Sequence, residues 1–147
     1  MTPVNLGDIR NITISGRIAS GTTTLAHNLS KEIGWELLEG GELFRNFHEE
    51  HLNDHSELAV SKRPDQVDFE YEEMIKNILK NESHHIIQSH LAGFDAQGID
   101  GVFKILVTCE DLNGEDKLEI RIDRLVNRKG MLVEDAKHEL QEREKSN

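Results

Sequence analysis

Residues 11–15 read Asn-Ile-Thr-Ile-Ser, a short β-branched run ending at Gly16, and predict a buried strand. From Thr22 the apolar positions change period. Leu25, Ala26, Leu29 and Ile33 recur at helical spacing and Gly34 supplies a stop, which predicts a helix over 22–33. A second short strand is expected at 35–38, and helical segments at 41–51 and 56–61. Val67, Tyr71, Met74, Ile75, Ile78 and Leu79 line one side of a longer helix over 66–80. Strands are expected at 84–89 and 101–109. Neither run alternates as a half-exposed sheet would, so a parallel sheet covered on both faces is expected. A charged helix over 116–128, ended by Gly130, and a very polar helix over 133–145 complete the chain. Strands separated by helices imply βαβ units with right-handed crossovers, hence an α/β fold. Ligands in such sheets bind at the carboxyl ends of the strands.

The gross numbers narrow the class. The 147 residues suit one domain with one core, and 36% hydrophobic with 31% charged residues is globular. No apolar run is long enough to span a bilayer, and the opening MTPVNLGDIR lacks the apolar stretch of a signal peptide. The one cysteine, Cys109, allows no internal disulfide and fits a reducing, cytoplasmic setting. A formal net charge of −11 argues against a general nucleic-acid binder. It leaves room for a small anionic ligand, which senses a local group of arginines and amides.

The candidate chemistry lies where strand meets helix. Gly16 ends the first strand, Gly21 follows five positions later, and Thr22-Thr23-Thr24 opens the helix, matching G-x-x-x-x-G-[K]-[ST] in spacing and context. Glycines let the backbone wrap an anion with its N–H groups inward, and the helix start adds a positive dipole end. Gly16, Ala19, Ser20, Gly21, Thr22, Thr23 and Thr24 are therefore the candidate phosphate-binding residues, with Thr23 placed to reach Mg²⁺ indirectly. The motif's lysine is replaced by Thr22. The bland alternative is a Gly/Ser/Thr-rich turn that caps a helix and binds nothing.

Ser20-Gly21-Thr22-Thr23-Thr24 resembles the Gly-Thr-Thr-Thr loop of the archaeal-type cytidylate kinases, among the nucleoside monophosphate kinases. The likeness continues in order. Leu25 to Trp35 is similar to the family's first helix and turn, and Gly41-Glu42-Leu43-Phe44-Arg45 resembles its Gly-[Asp/Glu]-x-x-Arg segment. His90-Leu91-Ala92-Gly93-Phe94 resembles Arg-Leu-Ser-Gly-Trp. Leu118 through Gly130, then Glu134-Asp135-Ala136 and Arg143-Glu144, resemble the lid helices. The resemblance implies a P-loop NTPase fold with three α/β/α layers and a parallel sheet of four to five strands. It divides the single domain 1–147 into a core at 10–39 and 83–113, an acceptor-binding helical segment at 40–82, and lid-like helices at 114–147. It also implies ATP with Mg²⁺ as donor and CMP or dCMP as acceptor, in a monomer or homodimer without nucleic-acid or membrane partners. Gly41, Arg45, His90 and Gly93 would contact the acceptor, and Arg45, Arg124, Arg128 and Arg143 would surround the transferring phosphoryl group.

The chain departs from the family pattern at several places. Gly16-Arg17-Ile18-Ala19 lacks the family's second loop glycine, Gln88 stands where the third strand ends in a carboxylate, and His90 replaces an arginine. The family continues past the position of Asn147, so the chain is expected to be a shortened form or a fragment. A catalytically degenerate nucleotide-binding module and a small-molecule kinase with another acceptor are the alternative readings. Arg121, Arg124 and Arg128 share one helix face, which could equally be a solvated face paired with Glu119 and Asp123. His48, His51 and His55 could share a face as zinc ligands or as exposed polar residues, while His84 and His85 mark a strand start. Cys109, Trp35 and Tyr71 read as packing residues.

Overall fold

The computed structural model describes residues 2–42 and 64–145, with the main chain alone at 64–68, 128–129 and 143–145. Strand β1 (Asn11–Gly16) is followed by helix α1 (Thr22–Ile33), strand β2 (Glu36–Glu39) and helix α2 (Pro64–Asn81). Strand β3 (His85–Gln88), the single turn α3 (Ala92–Asp95), strand β4 (Val102–Val107) and helices α4 (Leu118–Lys129) and α5 (Val133–Lys145) complete the order. The expected helix at 56–61, most of that at 41–51, and residues Arg45, His48, His51 and His55 lie outside the described residues.

The four strands run in the order β2-β3-β1-β4, and every pair is parallel. Asn11 pairs with His85 and with Val102, and Glu36 pairs with His85. This register brings Gly16, Gln88, Glu39 and Val107 to one edge of the sheet. The period of two then sorts the core into layers. Ile12, Ile14 and Ile86 join Ala26 and Trp35 under α1, whereas Ile87 joins Ile75, Leu79, Ala92 and Ala96 under α2 and α3. The sheet thus lies between helical layers. Ile122, Leu125, Ala136 and Leu140 form a third cluster between α4 and α5, with Ile18 and Ala19 packed against it.

Two polar ties, one buried and one half-buried, explain how the sheet's opposite end is fixed. Asn11 is fully buried; its Nδ2 donates to the Leu79 and Glu82 carbonyls at 3.2 and 2.8 Å, and its Oδ1 accepts the His85 N–H at 3.0 Å. Arg10 donates to the Leu79 and Asp100 carbonyls at 3.3 and 2.8 Å. The bonds to Leu79 and Glu82 satisfy carbonyls left over at the end of α2.

Several expectations shift. β2 begins one residue late because Trp35 turns into the core, where its Nε1 donates to Val4 O at 2.8 Å. Trp35 also stacks on His84, with ring centroids 5.0 Å apart. Two-sided burial holds for β1 but not for β4. β4 is an edge strand, and Phe103 and Leu106 are 51% and 73% exposed, because the helices reach across only part of it. β4 also stops at Val107, so Cys109 lies beyond the strand and is half-buried rather than part of the core. The helix expected at 116 starts at Leu118, since Asp116 is held in a bridge with Glu110.

Candidate functional site

The loop between β1 and α1 is shaped by crowding and by two unusual backbone angles. A Cβ on Gly16 would lie 2.6 Å from Val107 O, 2.7 Å from Thr22 Cγ2 and 2.8 Å from Ser20 Oγ, so only glycine fits. Ala19 takes φ +62° and Gly21 φ +105°. A positive φ at Ala19 is uncommon for a residue with a Cβ and marks a conformation imposed by its surroundings. Between them, Ser20 closes a turn, with its N–H and its Oγ both donating to Arg17 O, at 3.1 and 2.6 Å. Gly21 is the N-cap of α1 and makes no side-chain cap hydrogen bond. A helix start so left presents N–H groups and positive dipole to an anion. Thr22 is buried, while Thr23 and Thr24 are on the exposed side of the first turn.

Helix α4 lies against this loop. Arg124 Nη1 donates to Ala19 O at 2.8 Å, and that nitrogen would be 3.7 Å from a Cβ built on Gly21. Arg121 is 0% exposed; its Nε donates to Ile18 O at 2.9 Å and its Nη1 to Asp116 Oδ2 at 2.8 Å. Arg17 Nη1 is 3.4 Å from the same Asp116 oxygen. The face bearing Arg121 and Arg124 is therefore turned to the loop, while Glu119 and Asp123, the partners of the solvated-face alternative, are exposed. Arg128 lies in the last turn of α4 and Arg143 in the last turns of α5, their side chains outside the described residues.

The ends of β3 and β2 complete the rim. Gln88 Nε2 donates to Thr22 Oγ1 at 3.2 Å, so the amide at the carboxylate position contacts the residue at the lysine position. His90 Nδ1 is 3.1 Å from Gly16 O and so carries the proton of that bond. Gly93 N donates to Ser15 Oγ at 3.1 Å. His90 and Gly93 are thus brought beside the loop. Gly41 has open space around it, whereas a Cβ on Gly40 would meet Ser89 Cβ at 2.7 Å and Gln88 O at 2.9 Å.

Some contributors escaped the sequence reading. Gly40 is needed for the close approach of the two strand ends, and only its place beside Gly41 hinted at that. Arg121 was visible as part of a face, but nothing in its spacing marked it as the buried member. His27 Nε2 lies against the carboxylate of Glu39, at the end of the strand paired with β3, across elements that periodicity cannot pair. Asp95 closes α3 at 5% exposure; burial, then the charge of Glu72, raises its carboxyl to about 6, and Lys76 opposes this. Tyr71 Oη donates to Gly40 O at 3.0 Å, and burial, with Asp95 second, pushes its hydroxyl up to about 12.

A parallel α/β sheet with a glycine-bounded loop entering the first helix defines a P-loop α/β fold, and solved structures agree on it. A gluconokinase from Sinorhizobium meliloti superposes over 90% of this chain and 73% of its own, with TM-score 0.56 and 15% identity. An uncharacterized protein from Eubacterium ventriosum does so over 93% and 72%, with TM-score 0.64 and 13% identity. No family model matches the sequence. Individual relatives do. The cytidylate kinase of Methanopyrus kandleri is 34% identical over 137 residues, covering 92% of this chain and 70% of the relative. That of Haloarcula marismortui is 32% identical over 133 residues, covering 90% and 65%. The chain belongs to the cytidylate kinase family and spans about two thirds of the length of the relatives it matches.

Proposed function

We propose that the chain is a nucleoside monophosphate kinase that transfers the γ-phosphoryl group of ATP to CMP or dCMP. One observation carries most of the weight: a helix start with glycine as its N-cap and a glycine-bounded loop sit at the carboxyl edge of the sheet, with two guanidinium groups against the loop. The names of the relatives supply the acceptor. In this reading residues 16–24 hold the donor's phosphates, the segment 40–82 holds the acceptor, and α4 and α5 act as a lid within a single domain.

An oxygen of the CMP phosphate attacks the γ-phosphorus, a new P–O bond forms, and the bond to the β,γ-bridging oxygen breaks, releasing ADP. Such transfer depends on in-line placement and on cations around the transferring group. Arg45 holds the acceptor phosphate as a bidentate fork. Arg124, Arg128 and Arg143 close over the phosphates and exclude water. Arg124 donates to Ala19 O of the loop and changes partner when the donor arrives. His90 and Gly93 form the wall between loop and acceptor.

The donor set fits Mg²⁺. Thr23 offers an exposed hydroxyl, and Gln88, its Nε2 committed to Thr22, offers a neutral amide oxygen. Mg²⁺ accepts such hard oxygens when substrate phosphates supply the negative charge. When bound, the ion would neutralise charge developing on the β- and γ-phosphates. The rival reading, a module that binds nucleotide without catalysis, is favoured by Gln88 and by His90 in place of an arginine.

ADP release from ATP·Mg²⁺, measured with CMP, dCMP, UMP, AMP or no acceptor, tests the proposal. Release that requires CMP or dCMP supports it. ATP binding with no release across the panel favours the degenerate module.

A further inference from the structure

We propose that Arg121 is a positioning residue for the phosphate loop, oriented by Asp116, and that it performs from outside the loop the bracing a lysine at position 22 would give from within. The inference rests on the reading that residues 16–24 bind the donor triphosphate. Arg121 has no exposed surface, so it cannot touch a nucleotide. Its contacts are instead with the loop's own backbone and with Asp116: Nε to Ile18 O at 2.9 Å, and Nη1 to Asp116 Oδ2 at 2.8 Å. A planar trans peptide carries its C=O and the next N–H on opposite sides. Holding Ile18 O toward α4 therefore turns the Ala19 N–H away from α4. Ile18 and Ala19 also pack on the Ile122, Leu125, Ala136 and Leu140 cluster, so the same helix grips this stretch by side chain and by carbonyl. Ala19 keeps its φ of +62° under that double constraint.

The chemistry requires arginine. One planar guanidinium can direct separate N–H groups at a carbonyl and a carboxylate, which an ammonium cannot reproduce in the same geometry. Thr22 has no positive charge with which to brace loop carbonyls, and its Oγ1 accepts from Gln88. Asp116 supplies the counter-charge that a buried guanidinium needs, and shares it with Arg17.

Arg121→Lys, Arg121→Met and Asp116→Asn separate positioning from simple support of the fold. Affinities for ATP, for inorganic tripolyphosphate and for CMP are measured by calorimetry well below each variant's melting temperature, with phosphorus NMR shifts of bound ATP. The expected order of ATP and tripolyphosphate affinity is wild type, then Arg121→Lys, then Arg121→Met. The last is weakened about tenfold or more, the scale of one lost charge-assisted bond. CMP affinity stays within about twofold, on the same scale, and the bound-ATP shifts move. Equal loss of ATP and CMP affinity, or unchanged ATP affinity in folded variants, overturns the proposal. If Arg121→Met does not fold, Asp116→Asn carries the test, because it leaves the guanidinium in place and removes only its anchor. Wild-type protein that binds neither ATP nor tripolyphosphate refutes the nucleotide reading itself, a result distinct from variants that bind as the wild type does.

Discussion

Replacing Asp95 with Asn should stabilise the protein at neutral pH and do nothing at pH 4. Asp95 closes a one-turn helix, is 5% exposed, and faces Tyr71, Glu72, Glu73 and Lys76 of α2. Burial, followed by Glu72, raises its carboxyl from 3.8 to about 6. A carboxyl raised in the folded state binds its proton more tightly there than in the unfolded chain. Its favourable contribution is therefore full below about pH 4 and is lost as pH rises through about 6. The shift of about two units, at ~1.4 kcal/mol per unit, bounds the loss at ~3 kcal/mol, and relaxation brings it to roughly 1–3 kcal/mol. Asparagine keeps the shape of the protonated acid and has no charge to bury. Urea unfolding of both proteins at pH 4, 6 and 8 reads the difference. The two curves should nearly coincide at pH 4, and the variant should lead by roughly 1–3 kcal/mol at pH 8. A variant that is less stable at pH 8, or whose advantage does not depend on pH, would show that burial does not raise the Asp95 carboxyl in the native protein.

Three further perturbations probe other parts of the structure. Gly16→Ala places a methyl group 2.6 Å from a backbone carbonyl, so it should cost about 1–3 kcal/mol in thermal unfolding and weaken ATP binding in titrations. Asn11→Ala removes side-chain bonds to Leu79, Glu82 and His85 and leaves their buried main-chain groups wanting partners; a loss of roughly 2–4 kcal/mol is expected by chemical denaturation. Gln88→Glu should leave CMP-dependent turnover within about threefold if the site has adapted to the amide, a change of under ~1 kcal/mol in barrier. A rise of tens-fold with lower Mg²⁺ demand would identify a degenerate site instead.

The parts of this fold that local pattern controls were legible in the chain. The β-branched run at 11–15, Gly34 after Ile33, and Gly130 after Lys129 marked element and boundary, because each depends on its own few residues. The glycine spacing of the loop was equally local. What the sequence hid depends on contacts between distant elements. Arg121 and Arg124 looked like neighbours on one charged face. Only the docking of α4 on Ile18 and Ala19 makes one a buried brace and leaves the other half-buried on a loop carbonyl. The apolar run of β4 read as a strand covered on both faces, yet at the sheet edge Phe103 and Leu106 are exposed. Asp95 gave no sign of burial, since a four-residue helix has no period to read.

The central claim is phosphoryl transfer to CMP, and the most direct measurement follows the phosphorus atom. The protein is incubated with γ-labelled ATP, Mg²⁺ and CMP, and the products are separated. The account predicts label in the β-phosphate of CDP, formed in step with ADP and abolished in Arg45→Ala. Label that stays in ATP, or appears only as inorganic phosphate whether or not CMP is present, would contradict it.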